Sequence, residues 1–199
     1  MTIAKLIRRK IEELPIGQPF RAASFLDMAE RSNVDKTLSR LVKAGVIMRA
    51  TRGVFVRPKQ SRFGVVPPEI SKIAVLKAHG EPVAQHGAEA LRQLGLSTQV
   101  PVKPVFYTTA RSRTFQSGKT VVRLQQVSPR KMAHAGTNVG TALSALWYLG
   151  KGRVGSKVFE TIRSKLTAEE YSTLKASVPQ MPGWMAQALR HYEISTPHA

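Results

Sequence analysis

Apolar residues in the first third of the chain recur at helical spacing, stop at prolines and glycines, and then give way to short β-type runs. Ile3, Leu6, Ile7, Ile11 and Leu14 form one stripe, with Lys5, Arg8, Arg9 and Glu12 outside it, which predicts a helix from Ile3 to Leu14. Pro15-Ile16-Gly17-Gln18-Pro19 breaks that helix, and Phe20-Arg21-Ala22 suits a short strand. Ser24 suits the N-cap of a second helix over Phe25 to Glu30. The turn Arg31-Ser32-Asn33 then delivers a third, polar-capped helix, with Val34, Leu38, Leu41 and Val42 on one face and Gly45 closing it. A hairpin turning at Thr51-Arg52-Gly53 follows. Helix, glycine and basic hairpin is the order of a recognition helix and its wing, so residues 1–63 are expected to form a winged helix-turn-helix.

Arg57 to Pro68 is proline-bearing, basic and aperiodic, which predicts a linker to a second domain over 68–199. In that domain helical patterns run from Glu69 (Ile70, Ile73, Ala74, Leu76) and from Gly87 to Leu94. Pro101 to Thr109 reads as extended, and Thr114-Phe115-Gln116 and Val121-Val122-Arg123-Leu124 flank Ser117-Gly118-Lys119 as a hairpin. Helices are expected over Thr137–Leu149, Ser156–Lys165, Ala168–Ala176 and Trp184–Tyr192. The fold class is therefore α+β, a winged helix followed by a mixed C-terminal domain.

Charge narrows the partners. The 31 Lys+Arg against 12 Asp+Glu leave a formal net charge of +19, which speaks for a polyanionic partner and says nothing about fold. Nucleic acid leads, ahead of an anionic membrane surface and an acidic protein. No run of about 18 apolar residues is present to span a bilayer, and Arg8-Arg9-Lys10 interrupts the only early segment that could serve as a signal peptide. With no cysteine there are no disulfides or thiolate metal sites. A cytoplasmic location without membrane contact is the expectation.

The third helix offers Ser32, Asn33, Lys36, Thr37, Ser39, Arg40 and Lys43 on its polar side, and the hairpin adds Arg49, Arg52 and Arg57. These are donors and cations of the kind that reach base edges and phosphates in a major groove. Arg40 and Asn33 are the expected base readers, whereas Arg52 at the wing tip is expected in a minor groove or on a phosphate. Lys59 and Arg62 extend the cationic run. Double-stranded DNA is thus the expected partner.

Three further segments, in order, carry a family resemblance: Leu38-Ser-Arg-Leu-Val-Lys-Ala-Gly-Val-Ile-Met-Arg49, Arg52-Gly-Val-Phe55, and Gly95-Leu-Ser-Thr-Gln-Val-Pro101 followed by Val105-Phe-Tyr-Thr108. Over roughly residues 1–125 the chain resembles the AbiEi-type antitoxins, the transcription-regulating half of bacterial type IV abortive-infection toxin–antitoxin pairs used in phage defence. The resemblance implies a winged helix that represses its own operon by binding promoter repeats. It also implies a C-terminal domain that counters a nucleotidyltransferase-like toxin, by contact with the toxin or with its RNA target.

Other motifs favour plainer readings. Gly150-Lys-Gly-Arg-Val-Gly155 matches a dinucleotide-binding pattern, but a helix and not a buried strand precedes it, so a helix–helix connection is expected. Ser117-Gly-Lys-Thr120 ends like a phosphate loop, yet Arg113 stands where the first glycine belongs, which leaves a hairpin turn. His79, His86, His134, His191 and His198 form no metal-ligand spacing, and His86 is expected as a surface or interface group. Trp147, Tyr148 and Trp184 fit core stripes better than base-stacking platforms. No catalytic residue, cofactor or metal is expected. The rival readings are a nucleic-acid-processing enzyme targeted by the winged helix, and an RNA- or ribosome-associated protein.

Overall fold

In a computed structural model of the chain, residues 2–77 and 80–196 are described, the side chains of residues 75–77 excepted. The fold is mixed α+β with several sheets. Its contacts divide it into two compact units, Met1–Gly80 with Thr114–Val122, and Glu81–Arg113 with Arg123–Ala199.

The first unit begins with helix α1 (Ile3–Glu13), whose stripe sinks Ile7 and Ile11 completely and leaves Ile3 and Leu6 part-exposed. Strand β1 (Pro19–Arg21) follows. The second helix expected at Phe25–Glu30 is not formed. A single 3₁₀ turn, Ala22–Phe25, replaces it, and Ser24 lies inside that turn and does not cap a helix. Phe25 explains the difference: its ring is buried edge-on against Phe20, so the chain turns around it within a few residues.

Helix α2 (Arg31–Lys43) takes in the Arg31-Ser32-Asn33 segment expected as a turn, with Glu30 as an N-cap that makes no side-chain cap bond. It closes as the sequence predicts. Gly45 adopts φ +71°, its N–H donates to Val42 O, and Val46 N–H donates to Leu41 O, the paired bonds of a Schellman stop. Strands β2 (Met48–Thr51) and β3 (Val54–Val56) form the expected hairpin, with Gly53 at φ +76°. They join β1 in an antiparallel sheet of order β1-β3-β2, with Phe20 opposite Phe55 and Phe55 opposite Arg49. The core between helices and sheet holds Ile7, Ile11, Phe20, Phe25, Val34, Leu38, Leu41, Ile47 and Phe55.

Arg57–Pro68 is not a plain linker. It carries a second hairpin, β4 (Lys59–Ser61) and β5 (Gly64–Val66), because Gly64 takes φ +104° and the Ser61 hydroxyl bridges the turn. Helix α3 (Ile70–Lys77) then packs on β1 and so belongs with the first unit.

In the second unit β6 (Val83–Gln85) pairs antiparallel with β7 (Val105–Thr108), and β7 runs parallel to residues 123–126 of β9 (Thr120–Gln126). Strand β8 (Arg113–Ser117) neighbours the start of β9, and residues 114–122 of this hairpin are grouped with the first unit. Helices α4 (Gly87–Gln93), α5 (Asn138–Leu149), α6 (Ser156–Lys165), α7 (Ala168–Ala176) and α8 (Gly183–Ser195) enclose a core that includes Leu91, Leu143, Leu146, Phe159, Ile162, Leu174, Met185 and Leu189. Trp147 and Trp184 pack against it, as expected, while Tyr148 remains exposed.

Candidate nucleic-acid interface

Helix α2 owes its two faces to the 3.6-residue period. Val34, Thr37, Leu38 and Leu41 fall on the buried arc, and Ser32, Asn33, Lys36, Ser39, Arg40 and Lys43 are all exposed on the other. Six of the seven residues expected on the polar side are there. Thr37 is not: three residues after Val34 and four before Leu41, it lies on the core stripe and is only 7% exposed. It cannot present its hydroxyl to a groove. At the start of the helix Arg31 pairs with Asp35 at 3.0 Å, both side chains more than half exposed.

The hairpin after α2 divides its three arginines. Arg49 on β2 is exposed and holds its guanidinium 5.4 Å from the Phe55 ring centroid, so the buried ring of its cross-strand partner orients the cation. Arg52 is exposed in the turn between β2 and β3. Arg57 is turned inward. Its Nη1 donates to the carbonyl oxygens of Glu12 and Leu14, each at 2.6 Å, and the residue is half-buried. Arg57 therefore closes the end of α1 and does not face outward with the other cations expected to contact DNA.

The surroundings are one-sided in charge. Between Asp35 and Glu69 the sequence holds eight Lys and Arg and no acid: Lys36, Arg40, Lys43, Arg49, Arg52, Arg57, Lys59 and Arg62. Seven of these, all but Arg57, are exposed. A stretch with no carboxylate has no internal counter-charge, so its field reaches outward to an anion. Lys59 and Arg62, expected on a linker, stand on the second hairpin. Its order was hidden from pattern reading because none of its strand residues is buried.

The second unit contains a separate aromatic cluster. His86 is half-buried as the N-cap of α4, its Nδ1 accepting from Ala88 N–H at 3.2 Å, between the rings of Tyr107 (4.9 Å) and Tyr148 (5.3 Å). Burial pulls its pKa below the ordinary histidine value, and the Lys131 ammonium pulls it further. Lys131 sits 4.7 Å from the Tyr107 centroid and 5.7 Å from that of Trp147, and burial lowers its pKa as well.

Several motifs resolve into plain structure. Gly150 ends α5 at φ +74° and the loop to α6 follows, so the glycine triplet is a helix–helix connection. Ser117–Thr120 is the β8–β9 turn. His134 Nε2 lies 2.9 Å from Ser177 Oγ, and that oxygen donates to Thr173 O while Ser177 is 1% exposed, so the contact ties the turn before α5 to the end of α7. His191 is exposed, and His79 and His198 lie outside the described residues. Among the described residues no group of three or more His, Asp or Glu could hold a metal ion, and no helix is long and apolar enough to cross a membrane.

Residues 6–174 match a family of unknown function, DUF6088, and the chain belongs to that family. No curated protein matches it.

Proposed function

We propose that this protein is a DNA-binding transcriptional autorepressor whose first unit is a winged helix-turn-helix with α2 as the recognition helix. The order α1, β1, 3₁₀ turn, α2, β2, β3 supports that reading, with the middle helix shortened to one turn. The β1-β3-β2 sheet supports it too, since β2 and β3 then form the wing. The observation that carries it is the exposed polar arc of α2 within an acid-free stretch of eight cations, seven of them exposed.

In mechanism the protein binds and does no chemistry. Lys36, Lys43, Arg49 and Arg52 neutralise phosphates and release counterions. Asn33 and Arg40, on the exposed arc of α2, read base edges, and Ser32 and Ser39 support them. Occupancy of the promoter then blocks polymerase. Together with the resemblance to AbiEi-type antitoxins, this makes the protein the antitoxin of a type IV-like pair, with the second unit countering a nucleotidyltransferase-like toxin or shielding its RNA target.

Fluorescence anisotropy with the duplex upstream of its own gene, against a shuffled duplex and a structured RNA, tests the reading. Selective, salt-sensitive binding to the promoter is the expected result. Equal affinity for all three would overturn sequence-directed repression. Co-expression with a neighbouring nucleotidyltransferase-like gene, scored for growth, tests the antitoxin role.

A further inference from the structure

The β4–β5 hairpin is built for something other than packing. All six residues of its two strands are exposed, and an isolated two-stranded hairpin is marginal in water. Its base is nevertheless fixed. Gly17 N–H donates to Arg57 O at 2.9 Å, and Pro58 on one side and Pro67-Pro68 on the other restrict the chain.

Its apex is fixed as well. Ser61 Oγ accepts from Phe63 N–H at 3.2 Å and donates to Gly64 O at 2.9 Å, which closes the turn beneath Arg62 and Phe63. Phe63 is 86% exposed, and the Arg62 guanidinium lies 4.6 Å from its ring centroid. A large ring held in water by a pinned turn contributes nothing to folding. Val65 and Val66 beside it are also exposed.

The charge pattern says what covers the ring. Lys59 and Arg62 belong to the stretch with eight cations and no carboxylate, so the partner is polyanionic. It must also offer a flat apolar slot at the apex. Duplex DNA supplies both, because proteins that read its narrow groove insert apolar side chains between base steps beside Arg or Lys. We propose that Arg62-Phe63 is a minor-groove wedge, with Phe63 partly intercalating at a flexible base step and Arg62 lying along the groove, on the same duplex that α2 engages. This rests on the DNA-binding reading above.

The test uses the full chain and promoter duplexes carrying 2-aminopurine at successive steps, with dyes at the two ends. Wild-type protein should raise 2-aminopurine emission at one step and shorten the end-to-end distance. Phe63→Ala should abolish both signals and weaken binding about tenfold, the loss of a partly buried ring. Phe63→Leu should keep the kink. Arg62→Ala should reduce the slope of log K against log salt by about one. Because both side chains are exposed, unchanged thermal melts will show that the variants fold.

If Phe63→Ala binds the promoter with wild-type affinity and an unchanged kink, the wedge is wrong and the DNA-binding reading stands. Should wild-type protein not bind duplex at all, that reading falls and takes the wedge with it. If sedimentation shows a dimer that Phe63→Ala dissociates, with no unstacking in either protein, the apex is a contact between copies and the proposal is overturned.

Discussion

Arg57 Nη1 donates to Leu14 O at 2.6 Å, 43 residues away in sequence. The same nitrogen reaches Glu12 O, so one cation serves two carbonyls where α1 ends. Such carbonyls have no partner within the helix, and they form the negative end of its dipole. Arg57→Ala is therefore expected to destabilise the first unit by about 1.5–3 kcal/mol, the usual range for hydrogen bonds to a charged group. Preference for promoter over random duplex should stay the same. Urea melts alongside competition binding check this, and a variant of full stability with lost selectivity would return Arg57 to the groove.

Gly87 is fixed by space, not by backbone angle. A Cβ there would sit 2.2 Å from Tyr148 Cβ and 2.7 Å from Ser144 O, so α4 and α5 meet with only a hydrogen between them. Gly87→Ala should destabilise by about 1–3 kcal/mol or more through overpacking. Trimming Tyr148 to Ala in the same chain should not rescue it, because alanine keeps the Cβ at 2.2 Å and the Ser144 carbonyl remains. Denaturant melts of the single and double variants decide the point; a neutral Gly87→Ala would show that the helices can separate.

Periodicity located what is buried and was blind to what is not. Ser156–Lys165 and Ala168–Ala176 form helices with the bounds their patterns predict, each burying an apolar pair three residues apart, Phe159 with Ile162 and Tyr171 with Leu174. The hairpin at Lys59–Val66 has no buried face, so no alternation marks it; only Gly64 and the Ser61 hydroxyl hint at the turn. The Phe25–Glu30 segment failed for another reason, because a tertiary contact of Phe25 with Phe20 overrode local helix preference. At the candidate interface, residue type misled at two positions. Thr37 looks like a donor to DNA but its helical phase buries it, and Arg57 looks like a phosphate contact but a helix 43 residues upstream claims it. Nor is the parallel pairing of β7 with β9 written locally, since it joins Val105 to Arg123.

His86 should make the second unit acid-sensitive. Its folded pKa is lowered by burial and then by Lys131, and the rings of Tyr107 and Tyr148 flank it. A depressed folded pKa means that the stability it contributes is fully present above the ordinary value of 6.5 and is lost as pH falls below it. Protonation at Nδ1 also removes the acceptor for Ala88 N–H. His86→Asn keeps a capping acceptor without a titration in this range. Thermal melts across this range should show a shallower acid decline for His86→Asn than for wild type; parallel declines would place the sensitivity elsewhere.

Arg40 and Arg52 should differ in kind, because one stands on the exposed arc of α2 and the other in the hairpin turn. A bidentate arginine–guanine contact discriminates by about 1–3 kcal/mol, so Arg40→Ala should cost that on the promoter and relax preference at one base pair. A phosphate or groove contact carries no such information. Arg52→Ala should weaken promoter and random duplex alike and lower the salt slope by about one. Single-base-pair substitutions across the promoter, titrated with each variant at two salt concentrations, separate the two effects. Equal losses on promoter and random duplex for Arg40→Ala would reassign it to the phosphate backbone, leaving Asn33 as the base reader on that arc.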